Sequence, residues 1–178
     1  MLDENALVRK AHALDQDALA QIHEAYYGAI YRYISFRVDD LRAVEDLTSE
    51  VFTRFLGALR KRFDRPNSIH PWLYGTASLV VKEYYRSQSQ WNLVALDESV
   101  AAEEMGPAQT TEEMWTQREL HEAIQELTED QQTVLSLRFG GNLPIKEVSA
   151  LMEKSEGAVK MLQVRAVSAL ARQMVERK

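Results

Sequence analysis

Apolar residues recur at intervals of three and four along most of this chain, and no stretch sustains the two-residue alternation of a half-buried strand. A chain with that period must bury helical stripes against one another, so the expected fold class is all-α. Only four prolines and seven glycines interrupt 178 residues, and they mark the joints. One helix is expected from about Asp15, a good N-cap, to Val38, on Ala18, Leu19, Ile22, Tyr26, Ile30, Tyr33 and Ile34; the Asp39-Asp40 pair ends it. A second, from about Ala43 to Arg62, carries Val44, Leu47, Val51, Phe55 and Leu59 on one stripe. The loop FDRPNSIHP follows. A third helix opens near Pro71, a position that suits proline, and runs to about Ser87.

The stretch SQWNLVALDESVAAEEMGPAQTTEE then changes character: it is acidic, weakly periodic and broken by Gly106-Pro107, as a linker with at most one helical turn would be. The expected organisation is two small helical domains, residues 1–87 and 113–178, joined by an acidic linker, residues 88–112. The second unit opens with a helix ending near Leu127. Thr128-Glu129-Asp130-Gln131 is a capping box that starts the next, which stops at Gly140-Gly141. LPIKEVSALM, a short turn at Glu153-Lys154-Ser155 and the stretch SEGAVKMLQVRA complete a helix, tight turn, helix.

Composition narrows what such a bundle can do. With no cysteine and four scattered histidines, disulfides and thiolate-bound metal are excluded, and neither metal nor other cofactor is expected. No run approaches the roughly 20 apolar residues of a membrane span, and MLDENALVRK lacks the apolar segment of a signal peptide, so the expected location is the cytoplasm. There is no phosphate-binding glycine loop, nucleophile elbow, His-Glu-x-x-His or calcium loop, and an enzyme is not expected. The net charge of −6 comes from one stretch: between Ser87 and Gln117 lie six acids and no lysine or arginine. From Lys154 onward six basic residues face only Glu156 and Glu176, so the C-terminal end is locally basic.

Three helices carry patterns suited to binding. In the last, a turn of about 100° per residue puts Val159, Leu162, Ala166, Leu170 and Gln173 on one side. Lys160, Met161, Val164, Arg165, Ser168 and Arg172 share the other. Cations flanking a small apolar patch suit duplex DNA, where Lys and Arg meet phosphates or guanine and an apolar side chain meets a thymine methyl. The same face would also suit packing on another helix, and the pattern alone leaves both open. In the second helix, Asp46 and Glu50 with Ser49 and Thr53 form an acidic stripe opposite the apolar one, either solvated or docked on a basic partner. The third mixes Trp72, Tyr74, Tyr84 and Tyr85 with Lys82 and Arg86, a combination compatible with unpaired bases, although Trp72 and Leu73 also fit a core and Tyr84 and Tyr85 cannot both do so.

VEDLTSEVFTRFLGAL, WLYGTASLVVKEYYRSQ, LTEDQQTVLSLRF and EVSALMEKSEGAVKMLQVRA, in this order and spacing, resemble the extracytoplasmic-function sigma factors of bacterial RNA polymerase. The likeness covers nearly everything outside the linker. It implies two helical domains, regions 2 and 4. In region 2 the acidic positions of the core-docking helix fall on Asp46 and Glu50, with Ser49 where the family often has glutamine. The loop Phe63 to Ile69 and the start of the third helix would capture a flipped base of the single-stranded minus-10 element, where a pocket offsets the cost of unstacking. The candidates there are Phe63, Asn67, Ser68, Trp72, Lys82 and Arg86, with Asn67 and Ser68 as donors; Leu79 replaces an asparagine frequent in the family.

In region 4 the family's contacts to the duplex minus-35 element map onto Lys160, Met161, Val164 and Arg165, with Ser155 and Arg172 beside them. Glu153 stands where the family commonly has glycine, and a left-handed backbone there would cost about 1 kcal/mol. The linker would either thread an acidic segment along basic polymerase channels or act as a solvated tether. The resemblance implies core RNA polymerase and promoter DNA as partners and a monomer when free. With the sequence ending at Lys178, no extra C-terminal regulatory domain is expected, so regulation would come from a separate protein, such as an anti-sigma factor, or from expression level. The alternatives are a stand-alone helix-turn-helix regulator and a protein-binding adaptor.

Overall fold

The computed structural model describes residues 4–61, 66–95 and 111–176, and among these there is no strand. The first half contains α1 (Glu4–His12), α2 (Gln16–Ser35), α3 (Leu41–Arg60) and α4 (Ile69–Ala95). The second contains α5 (Thr111–Gln125), α6 (Glu129–Leu135), which runs directly into a π-helical stretch at Ser136–Gly140, α7 (Ile145–Leu151) and α8 (Glu156–Glu176).

Helix starts follow local chemistry closely. The Asp15 carboxylate accepts from Ala18 N at 2.8 Å, and Asp40 accepts from Arg42 N and Ala43 N, so the second of the paired aspartates starts α3 rather than ending α2. Thr128 and Gln131 form the expected capping box, each side chain bonded to the other's backbone N–H. Helix ends depart more. α2 stops at Ser35, before Val38, and α4 continues to Ala95, through residues expected to belong to the linker. The nine-residue α1 was not anticipated; Leu7, Val8 and Ala11 bury its inner face. Residues 96–110, most of the acidic linker, lie outside the described residues, as does Phe63.

The two halves share one continuous apolar cluster, from Ile22, Tyr33, Phe55 and Leu73 through to Leu135, Leu143, Val148 and Val159. They meet tightly at two glycines. A Cβ on Gly140 would lie 2.9 Å from Arg32 O and 3.0 Å from Phe36 Cβ, and one on Gly141 3.1 Å from Tyr74 Oη. A side chain at Gly140 would force backbone to move, and one at Gly141 would crowd Leu137 O and the Tyr74 ring. Beside them, Arg37 at the end of α2 is 3% exposed, and its Nη2 donates to Gln132 Oε1 at 2.9 Å. The Arg37 carbonyl accepts from Gln125 Nε2 at 2.9 Å and from the Tyr85 hydroxyl, which burial keeps protonated by raising its pKa. Tyr84 and Tyr85 are both half-buried, ring against ring at 5.2 Å, so neither is a full core residue.

Candidate nucleic-acid interface

The turn between α7 and α8 is tight because the backbone reverses through one left-handed residue. Lys154 N bonds to Ser149 O at 3.0 Å and Glu153 N approaches Ala150 O at 3.4 Å, the paired bonds of a Schellman motif with Glu153 at its left-handed position, φ 53°. The backbone that the resemblance assigns to glycine is therefore kept, with the strain tolerated. Ser155 accepts from Ala158 N at 3.2 Å and caps α8, and it is exposed. Val159 and Ala166 are fully buried, Leu162, Leu170 and Gln173 partly, while Lys160, Arg165, Ser168 and Arg172 are exposed. Met161 is 53% exposed and Val164 59%, so among the described residues neither is buried against another helix. Val167, 44% exposed, extends the apolar strip beyond what the sequence pattern singled out.

On the first half, the segment before α4 is shaped by α1. Glu4 Oε1 accepts from Ser68 Oγ at 2.9 Å, Ile69 N at 3.0 Å and His70 N at 3.3 Å, capping α4 from a different helix. Burial works against the Glu4 charge, but the bonds from Ser68, His70 and Ile69 and the nearby His70 ring outweigh it and hold the carboxyl below its ordinary range. Ser68 was expected to donate to a base. Its one hydrogen is already on Glu4, leaving it only acceptor capacity. Asn67 is exposed. Trp72 is half-buried with its ring against Phe55, centroids 5.3 Å apart, which makes it first a packing residue. Lys82 pairs with Glu129 of α6, and Arg86 is exposed.

The acidic stripe of α3 is also partly engaged. Asp46 and Ser49 are exposed, but Glu50 accepts from Arg54 Nε at 2.8 Å, and Arg54 Nη2 reaches Glu83 of α4 at 2.7 Å. That hydrogen bond holds the Glu83 carboxyl below its ordinary range. Arg54 thus fixes Glu50 and ties α3 to α4, leaving Asp46 as the less constrained acid.

Comparison with known proteins decides what this arrangement belongs to. Residues 22–90 match the model of sigma-70 region 2 and residues 123–172 that of sigma-70 region 4. The chain is 34% identical over 168 residues to the ECF RNA polymerase sigma factor BldN of Streptomyces coelicolor, covering 93% of this chain and 64% of that protein. It is 27% identical to SigX of Bacillus subtilis, an ECF RNA polymerase sigma factor, over 89% of this chain and 84% of that one. The chain belongs to the extracytoplasmic-function sigma factors. Its fold is also that of CnrH, solved with the cytosolic domain of CnrY, with a TM-score of 0.67 at 18% identity over 98% of this chain and 99% of that one. The sigma factor spans just under two thirds of the length of BldN. Among its described residues no helix is long and apolar enough to cross a membrane.

Sequence reasoning missed three residues of this sigma factor that matter to the surfaces just described. Glu4 and Arg37 carry no local motif, since each acts on a segment more than 60 residues away, at Ser68 and at Gln132 respectively. Arg54 had a signal in its i,i+4 spacing from Glu50, but its second partner, Glu83, becomes visible only once α3 and α4 are packed.

Proposed function

We propose that this sigma factor is the promoter-specificity subunit of a bacterial RNA polymerase, working in the cytoplasm as a binding subunit and not as an enzyme. Region 2 docks on the core enzyme through the Asp46 and Glu50 flank of α3. Region 4 reads the duplex minus-35 element with Lys160, Met161, Val164 and Arg165. The displaced minus-10 strand is taken up along Asn67 and Arg86, with Lys82 joining once Glu129 releases it. The observation that carries this reading is the exposed α8 face: two large apolar side chains left in water between two cations, on the second helix of a helix-turn-helix. A sigma factor of the same fold, RpoE of Bartonella quintana, was solved with the anti-sigma factor NepR, and a regulator of that class is a further proposed partner.

Reconstituted transcription with core polymerase tests the proposal. Asp46→Arg together with Glu50→Arg should weaken core binding by roughly 30-fold or more, about 2 kcal/mol, by placing like charge against a basic surface. The helical signal should be unchanged. Core affinity equal to that of the wild type would remove α3 from the docking surface. Tight duplex binding by the chain alone, with no stimulation of transcription, would favour a stand-alone regulator.

A further inference from the structure

α1 makes two polar ties to the same short segment of region 2. At its N-terminal end, Glu4 holds Ser68, Ile69 N and His70 N through one carboxylate oxygen. At its C-terminal end, His12 Nε2 lies 2.9 Å from Pro66 O. A carbonyl can only accept, so the imidazole carries its hydrogen on Nε2. The two residues are separated by most of the length of α1, roughly 12 Å at 1.5 Å per residue. The helix itself is fixed to the bundle by Leu7, Val8 and Ala11, all buried. Pro66 and Ile69 are buried as well, while Asn67 between the two ties stays exposed. A loop held at both ends by a packed helix presents its middle residue in one conformation, and the ordering entropy is met on folding instead of on binding.

We propose that α1 is a positioning element for the minus-10 strand: Glu4 and His12 hold residues 66–70 in the shape that receives the displaced base, without touching DNA themselves. The inference rests on the reading of region 2 as the minus-10 site. Two features make it more than a stability device. The ties act on main-chain groups of the loop and the first turn of α4, which set where Asn67 lies. The Ser68 hydroxyl, a second polar side chain of that stretch, is oriented by Glu4.

The test compares holoenzymes carrying Glu4→Ala, His12→Ala and His12→Gln on a fork-junction DNA whose minus-10 non-template strand is single-stranded. Core affinity and binding to minus-35 duplex are measured on the same preparations. Glu4→Ala and His12→Ala should each bind the fork about fivefold to tenfold more weakly, the size expected for losing a helix cap or a comparable hydrogen bond. Core and minus-35 affinities should stay at the wild-type level. His12→Gln, whose amide can still donate to Pro66, should bind like the wild type. An equal drop in all three affinities would make α1 a stability element only and overturn the proposal. An Asn67→Ala and Arg86→Ala holoenzyme separates the two levels of the argument. If it loses fork binding while Glu4→Ala does not, the clasp is wrong and the minus-10 reading stands; if it too binds normally, both fall.

Discussion

Glu153 shows how a single backbone angle sets the turn between α7 and α8. The helix-turn-helix requires a left-handed residue after α7, and this chain uses a glutamate at φ 53°. Leu14 does the same after α1, at φ 56°, with Asp15 N bonded to Lys10 O and Leu14 N to Ala11 O. Such a residue costs about 1–2 kcal/mol; a glycine would remove that cost but lose part of the gain through its greater freedom in the unfolded chain. Glu153→Gly should therefore stabilise the protein by up to about 1 kcal/mol, read as a higher urea midpoint at unchanged slope. A lower midpoint would mean that the Glu153 side chain contributes more than its backbone costs. The spacing of the sequence located this turn, and the family resemblance identified the residue under strain, because Glu153 stands where glycine is common and most side chains avoid that conformation. Glu4 was not legible in the same way, since its role depends on where α1 packs.

At the scale of the element, α8 is where sequence and structure agree most closely. A long amphipathic helix writes its orientation in its own period, so the outward placement of Lys160, Met161, Val164 and Arg165 needed no tertiary information. α1 and the last turns of α4 were invisible for the opposite reason. α1 offers only three buried residues in nine positions, and Gln88, Ser89 and Gln90 of α4 are solvent-exposed, so neither stretch shows an apolar period long enough to read. The α8 face makes a divided prediction. Lys160→Ala and Arg165→Ala should each weaken minus-35 binding on any sequence and lower the salt dependence by about one unit of slope if the cation meets a phosphate. Met161→Ser and Val164→Ser should instead reduce the preference for the cognate element, with little change in salt slope. Stability should change by no more than about 0.5 kcal/mol in each case, because all four side chains are exposed. A uniform loss from the serine variants, with the salt slope falling, would assign Met161 and Val164 no part in base reading.

The whole molecule is closed, and the closure occupies groups that promoter binding would use. Glu129 of α6 pairs with Lys82, Glu147 of α7 lies 3.4 Å from the His70 imidazole, and the Gly140-Gly141 pair seats the second half on α2 and Tyr74. None of this was legible in the sequence, where Gly140-Gly141 read only as a helix stop; the need for two missing side chains appears only when α2 lies across them. The ion pairs are partly exposed and contribute little on their own. The apolar seat and the fit at the glycines hold the halves together. Gly140→Val tests this directly, since its Cβ alone would meet Arg32 O at 2.9 Å and overpacking of this kind costs about 1–3 kcal/mol. The variant should keep its helical circular dichroism but show a larger radius of gyration by X-ray scattering. Lys82 cannot serve Glu129 and a phosphate at once, so the free variant should also bind single-stranded minus-10 DNA more tightly than the wild-type chain. An unchanged radius would mean that the seat yields around the added side chain, and a larger radius without tighter strand binding would show that the Glu129 contact does not compete with DNA.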